Sequence, residues 1–598
     1  MSEALKGQRP QGNRWLVMTK VALAMLFLNF LTSFNNFWPT PMVQPDTRIG
    51  PEFVGLWLIL LLLVALFGRV GRGAIAVLTG LFLLVAIGRY ADVTVPAWLG
   101  RKMNLYWDAY HLPKFLDVAS QEYVWWQIVG IIAAFIAGFW LLTWLIRACI
   151  KVLAEHAAPY ALRSPTAMIV TIFCLGMVIA NLTKVVASPY VAGPVFPVYQ
   201  RQAHLLAAGL LPGRFRADLP ESPPLASDLK LLGGAEVKVV FLESYGATTY
   251  EREDLFGVIH PARQRLEQAA NAQGRQMLSA FVKAAAFGGA SDLSHLSFLS
   301  GIDLTDPIRH DLLLTTDRPT ILDTFEQAGY RTIGLYPAMS WEWPEKSFYD
   351  FDHYLDAPSL DYRGPKFGLW WLPDQYSMAR IDEIYPPDPD GKPRFLFYPT
   401  ITSHIPFRPT PPYQPDWSRV TSEKPFSDEA TAKAMADKID WHDLFVGYIN
   451  TIEYTFRWLA GYQEQPQPRE SVLILLGDHQ PAGGITGPNA TWDVPVHIIT
   501  SNETIAERLR LYGFVDGVNP QRESLGHISE LSQLLLSVFD SDGTEVAEAV
   551  PVVDSSKGQA VKPASLSSSS VSPRASMQVP HNNTSPRRAT DFSINSRL

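Results

Sequence analysis

The chain has 598 residues, of which 47% are hydrophobic, with a formal net charge of −8 and a pI near 5.9. That length exceeds one simple domain, and Lys and Arg form no block outside the flanks of apolar runs, which argues against nucleic acid as a partner. The two cysteines, Cys149 and Cys174, both lie in apolar runs, so the soluble part has neither a disulfide framework nor a thiol zinc cluster.

Residues 1–14 are polar and basic (Lys6, Arg9, Arg14) and lead into an apolar run over about 15–34. The run lacks a small-residue cleavage site and is too long for a signal-peptide core, so it is read as a retained membrane helix. Four more runs, near 53–68, 73–91, 123–148 and 165–185, are each read as a helix able to cross the bilayer. Arg69 and Arg72, then Arg147, Lys151 and Arg163, fall on the same side as the basic N-terminus, which the positive-inside rule makes cytoplasmic. Five crossings place everything after about residue 186 outside the cytoplasm. The loop at about 92–122 is aromatic and basic (Trp98, Arg101, Tyr106, Trp107, His111), either an interfacial anchor or a holder of lipid headgroups.

Prolines loosen residues 186–235, a linker that includes a candidate interfacial helix around 202–211. An α/β texture follows from 236 to 545. Apolar, β-rich runs at 237–242, 332–336, 395–400, 472–476 and 494–499 alternate with helical stretches, one of them opening at Arg318-Pro319 after Asp317. Continuous rather than alternating apolar runs predict a buried, mostly parallel sheet, whose ligands gather at strand C-terminal ends. Residues 546–598, rich in Ser, Pro, Asn and Arg, are left as a disordered tail.

Chemistry concentrates at three places. Gly288 and Gly289 let the chain turn and bring Ser291 to the head of a short apolar helix (Leu293, Leu296, Phe298, Leu299) that Gly301 closes. Ser291 there either caps the helix or offers its hydroxyl beside the helix's free amides. One apolar run ends in Glu243-Ser244-Tyr245-Gly246 and another in Gly477-Asp478-His479, aimed at the same sheet edge. Glu243, Ser291, Asp478 and His479 would form a site for one divalent cation, which would also account for buried carboxylates. Between 336 and 376 lie Trp341, Trp343, Phe348, Tyr349, Tyr354, Tyr362, Trp370 and Trp371, interspersed with Lys346, Arg363 and Asp374. This segment is either an acceptor groove or a packed lid. His497 either faces the site or is structural.

Leu242-Glu243-Ser244-Tyr245, Gly289-Ala290-Ser291, Thr402-Ser403-His404-Ile405-Pro406-Phe407 and Gly477-Asp478-His479 follow the membrane helices in that order. The pattern resembles the membrane-anchored members of the alkaline phosphatase and sulfatase superfamily, lipoteichoic acid synthase and the phosphoethanolamine transferases in particular, over roughly residues 1–540. The resemblance implies a sulfatase-like, alkaline phosphatase-type α/β domain behind a five-helix transmembrane bundle. It also implies one zinc or manganese ion on Glu243, Ser291, Asp478 and His479, with Ser291 as nucleophile. The familiar nucleophile in these groups is threonine, which a direct alignment would set at Ala290, so either Ser291 takes the role or the site is degenerate. His404 is a candidate phosphate contact or acid for the leaving group, or else a core histidine. Formylglycine sulfatases resemble Cys/Ser-x-Pro-x-Arg at the nucleophile, and the sequence after Ser291 has neither that proline nor that arginine. The sequence shows no second Asp/His cluster for another metal, which favours a one-metal transferase. The expected activity is transfer of phosphoethanolamine or phosphoglycerol from a phospholipid donor to an envelope glycan or lipid, on the outer side of the inner membrane. The alternatives are a membrane-anchored hydrolase using water and a non-catalytic envelope scaffold.

Overall fold

A computed structural model describes residues 11–542 except 37–40, 100–101, 111–123, 184–189, 212–218, 340–345, 369–370, 389–390 and 441–442, together with 553–554 and 559–560. Five apolar helices come first: α1 (Gln11–Ser33), α2 (Pro51–Phe67), α3 (Arg72–Leu99), α4 (Trp125–Val152) and α5 (Pro165–Leu182). All but α2, which has 17 residues, are long and apolar enough to cross a membrane by length and composition. Beyond α4, a π-turn (Leu153–Ala157) and a final helical turn (Ala158–Ala161) carry the span past the predicted end at 148. Leu28, Leu60, Phe82 and Ile146 pack the first four helices together. Trp125 and Phe135, each 75% exposed, lie on an outer face suited to lipid. Arg89 of α3 is buried because Nε donates to Phe34 O at 2.8 Å and Nη2 to Asn35 Oδ1 at 3.1 Å, a cation closing the C-terminal end of α1.

The linker helix α6 (Phe196–Leu210) begins earlier than predicted, with Pro197 in its first turn. Its Leu205 packs on Ile308 and Leu312, and its Gln202 accepts from Leu105 N and donates to Met103 O, both at 2.7 Å. The described part of the 92–122 loop is thereby tied to α6. Residues 100–101 and 111–122 of that loop lie outside the described residues.

Nine strands build the central sheet: β1 (Glu236–Leu242), β2 (Gln276–Lys283), β3 (Arg331–Tyr336), β4 (His353–Asp356), β5 (Arg394–Pro399), β6 (Ser471–Gly477), β7 (Asp493–Thr500), β8 (Val515–Asp516) and β9 (Ser524–His527). Their order is β8-β2-β7-β6-β1-β5-β3-β4, with β9 beside β2. The run β6-β1-β5-β3-β4 is parallel, and β7 is antiparallel to both its neighbours. Val237, Val239 and Phe241 face one core layer while Val240 and Leu242 face the other, which is why β1 reads as an unbroken apolar run. Alongside the sheet lie α7 (Glu253–Ala272), α8 (Ser291–Ser300), α9 (Asp374–Ile384), α10 (Phe445–Gln463) and α11 (Ile528–Phe539). α8 and α11 join the first layer, and α7, α9 and α10 the second.

The helix predicted to open at Arg318-Pro319 begins at Ile321 instead. Thr320 is its cap, accepting from Leu322 N at 3.2 Å, and Asp323 Oδ2 accepts from Thr320 N at 2.7 Å. In the separate unit Glu548–Leu598, Val553–Asp554 pairs antiparallel with Gln559–Ala560. The rest of the predicted tail beyond 542 lies outside the described residues.

Candidate metal centre

β1 and β6 run in register with Leu242 opposite Gly477, so the next residues, Glu243 and Asp478, leave the same sheet edge as neighbours. Position 477 requires glycine because a Cβ there would lie 1.9 Å from Tyr245 O. The chain turns at Ser244, whose φ is 57°. Its amide donates to Asp478 Oδ1 at 2.8 Å and its hydroxyl to Glu243 Oε1 at 2.9 Å, tying the two carboxylates together. His479 N also donates to Asp478 Oδ1, at 2.7 Å, and its ring Nδ1 donates to Gln480 O at 2.8 Å. That bond makes Nε2 the lone-pair nitrogen, 3.5 Å from Glu243 Oε1 and 3.7 Å from Asp478 Oδ2.

Ser291 arrives through Gly288, Gly289 and Ala290, with φ of 65°, 129° and 64°. Ala290, not Ser291, occupies the N-cap position of α8, and no side chain caps the helix there. The Ser291 hydroxyl instead lies 3.2 Å from Glu243 Oε2 and 3.1 Å from His479 Nε2. A single hydroxyl proton therefore faces two acceptors, in a cluster that is already rich in electron pairs.

Glu243, Asp478 and His479 are all buried, with ligand atoms within 4.8 Å of one another. Among the described residues no Lys or Arg forms an ion pair with either carboxylate; their neighbour is the His479 imidazole. Burial, and then the Asp478 charge, push the Glu243 carboxyl well above its usual range. The donor set, two carboxylates, an imidazole and a hydroxyl, suits a zinc or manganese ion, and a cation is what this charge arrangement lacks.

Three more side chains hold the backbone around Glu243. Thr400 Oγ1 accepts from Glu243 N at 3.1 Å, Ser403 Oγ donates to Glu243 O at 2.7 Å, and Tyr448 OH donates to Ser244 O at 2.8 Å. Sequence reasoning did not single them out as site residues. Ser403 stands beside the noted His404, but nothing in the helical pattern around Tyr448 signals its contact. His404 follows Ser403 on the same loop, half-buried, its Nδ1 donating to Ile405 O at 2.7 Å.

The structure brings Glu243, Ser291, Asp478 and His479 together, with His404 on the adjoining loop. Four of the five candidate substrate residues, Lys346, Arg363, Asp374 and His497, make other contacts. Lys346 is exposed, with Nζ 5.7 Å from the Tyr354 ring centre. Arg363 is exposed and pairs with Asp361 at 2.9 Å and Glu423 at 3.6 Å. Trp341 lies outside the described residues. Two expectations are corrected. Asp374 has no exposed surface and accepts hydrogen bonds from the 398–402 segment. His497 is likewise enclosed, its Nε2 3.1 Å from Tyr245 OH and 3.2 Å from Tyr250 OH, and its Nδ1 2.6 Å from Ser279 Oγ. Burial, aided by Arg263, pushes the His497 pKa down to about 3, so it is a neutral structural histidine.

Residues 239–508 match the protein-family model described as Sulfatase. No match was found among curated proteins. Several solved structures are similar. A protein of the alkaline phosphatase superfamily from Vibrio parahaemolyticus is 16% identical over 51% of this chain, with a TM-score of 0.32; the match spans 66% of that protein, just under two thirds. The phosphoglycerol transferase GacH of Streptococcus pyogenes, in complex with sn-glycerol-1-phosphate, is 13% identical over 58% of this chain and 85% of its own, with a TM-score of 0.35. The C-terminal periplasmic domain of EcEptC from Escherichia coli, in complex with Zn, is 14% identical over 53% and 85%, with a TM-score of 0.33.

Proposed function

We propose, from the match of residues 239–508 to a sulfatase family model, that this chain is a membrane-anchored, metal-dependent phosphotransferase acting outside the cytoplasm. It takes phosphoethanolamine or phosphoglycerol from a phospholipid and passes it, through a phosphoserine at Ser291, to a hydroxyl of an envelope glycan or lipid. One observation carries the reading: the Ser291 hydroxyl lies between Glu243 Oε2 and His479 Nε2, in a buried cluster with Asp478 to which no Lys or Arg among the described residues is paired.

Glu243, Asp478, His479 and Ser291 Oγ would hold one divalent ion, which supplies Lewis acidity and lowers the hydroxyl pKa. Ser291 Oγ attacks the phosphorus, an Oγ–P bond forms, and the bond from phosphorus to the lipid oxygen breaks. The proton lost from Ser291 is balanced by one taken up by the departing lipid alcohol, for which His404 is the proposed donor. The Ser291 and Asp292 amides at the start of α8 would face the phosphoryl oxygens and offset part of their charge, Leu293 N being bonded to Ala290 O. In the second half the acceptor hydroxyl loses its proton, attacks the phosphoserine, and restores the Ser291 hydroxyl. Ser291-Asp292-Leu293-Ser294-His295 lacks the proline and arginine of the formylglycine signature, so sulfate-ester hydrolysis by that route is disfavoured.

The test is an intact-mass spectrum of the full-length protein, metal-loaded and incubated with phosphatidylethanolamine or phosphatidylglycerol. The expected result is an adduct with the mass of one phospho-headgroup that is absent in Ser291→Ala. No adduct from either lipid, in protein shown to hold metal, would overturn the double displacement for these donors.

A further inference from the structure

We propose that Asp374 is a positioning residue: its buried carboxylate fixes the turn at 400–403 that grips Glu243 and presents His404, and it touches no substrate itself. The functional half of this proposal rests on the phosphotransfer reading above. The structural half stands on hydrogen bonds alone.

Asp374 is the first residue of α9 and has no exposed surface. Its Oδ1 accepts from Ile401 N at 2.8 Å and from Tyr398 OH at 3.2 Å, and its Oδ2 accepts from Thr402 N at 3.1 Å. The backbone returns the grip, since Thr402 Oγ1 accepts from Asp374 N at 3.3 Å and Asp374 O accepts from Tyr398 OH at 3.1 Å. Burial raises the Asp374 carboxyl, a rise opposed first by the Ile401 amide and then by the Thr402 hydroxyl and amide. No described residue forms an ion pair with Asp374, and its two oxygens face consecutive backbone donors instead.

The same turn holds the metal centre from its other side. Thr400 N donates to Phe241 O at 2.9 Å, Thr400 Oγ1 accepts from Glu243 N at 3.1 Å, and Ser403 Oγ donates to Glu243 O at 2.7 Å. Both backbone polar groups of Glu243 are thus held by a four-residue turn whose middle two amides end on Asp374. His404 is the next residue. Displacing the Thr402 amide therefore shifts Ser403 and His404 relative to Ser291 while leaving the sheet ladders in place.

The test uses full-length protein and Asp374→Asn, a near-isosteric change that sets an NH2 group against one of the two amide donors. Hydrogen exchange is read first. The segment 398–408 is expected to exchange about tenfold faster, while β1 and β6 keep their protection. Transfer is then measured with phosphatidylethanolamine or phosphatidylglycerol, whose leaving alcohol needs a proton, and with bis(p-nitrophenyl) phosphate, whose leaving group does not. We expect kcat/KM to fall roughly 10- to 100-fold with the lipid and far less with the nitrophenyl ester, with metal content retained. Asp374→Asn combined with His404→Gln should be no slower than His404→Gln alone. Unchanged exchange, exchange raised throughout the domain, or losses that multiply in the double variant would each overturn the proposal. If wild-type protein turns over none of the three esters, the phosphotransfer reading falls and takes the functional half with it. The exchange data then decide the structural half by themselves.

Discussion

Ser244 adopts a left-handed backbone conformation to do two things at once, giving its amide to Asp478 and its hydroxyl to Glu243. Groups that hold metal ligands in place commonly contribute about 10- to 100-fold in affinity, so Ser244→Ala, which keeps the amide and loses the hydroxyl, should weaken metal binding by that order. Competition against a chromogenic chelator would measure it. His497 makes a prediction about pH. Its folded pKa, about 3, lies below that of a free imidazole, so between about pH 6.5 and 3 the unfolded chain binds the extra proton. The neutral form's contribution is complete above the unfolded pKa and falls with pH across that window by up to about 1.4 kcal/mol per unit. Melting temperature should therefore drop less steeply on acidification in His497→Gln than in wild type. At this scale Glu243, Asp478 and His479 could be read from the sequence because they follow apolar runs, and Ser291 because a Gly-Gly turn delivers it to the head of an apolar helix. Asp374 and His497 could not be placed, because a polar residue type does not reveal which way its side chain points. That direction is set by tertiary partners such as Tyr398 and Tyr245.

The turn into α8 depends on three successive residues at positive φ, and Ala290 is the one that is not glycine. A β-branched side chain is least tolerated in this conformation. Ala290→Thr, which supplies the residue that the sequence resemblance would set at this position, should lower stability by about 1–2 kcal/mol and leave the Ser291 adduct unchanged. Ala290→Gly should range from neutral to about 1 kcal/mol more stable, relieved strain being offset by added freedom in the unfolded chain. Thermal melts together with the intact-mass assay would decide both, and an active Ala290→Thr that no longer needs Ser291 would sink the assignment. Elements were legible where burial is uniform, as in β1 and β6. The strand β2 went unread because Ser279 and Lys283 interrupt its apolar run, although Ser279 is buried against His497. The helix at Ile321 was displaced because Arg318-Pro319 imitates a first turn while the true cap is Thr320.

Across the whole molecule, the side on which the domain works depends on whether α2 crosses the membrane. At 17 residues it is about 25 Å long, against roughly 30 Å of hydrocarbon, a mismatch that a bilayer absorbs at modest cost. Its contacts argue that it crosses. Just before α2, Ile49 N donates to Tyr190 O at 2.8 Å and Ala192 N donates to Ile49 O at 2.9 Å, while Glu52 Oε1 accepts from Val195 N at 2.5 Å. The start of α2 therefore lies beside the chain that enters α6 and the α/β domain. The end of α1 meets Arg89 of α3 through Phe34 and Asn35. The other end of α2 leads into Arg69 and Arg72, on the side where Arg14 and Arg163 fall if all five helices cross. Five crossings agree with both the contacts and the charge bias, whereas four would place the α2–α3 arginines outside. In spheroplasts carrying Cys149→Ser and Cys174→Ser, a membrane-impermeant maleimide should label Lys433→Cys, on the exposed helix Asp428–Ala436. It should label Arg69→Cys only after permeabilisation. The opposite pattern would put the metal centre in the cytoplasm, away from an outer-leaflet donor and envelope acceptor, and the proposed reaction would lose its substrates.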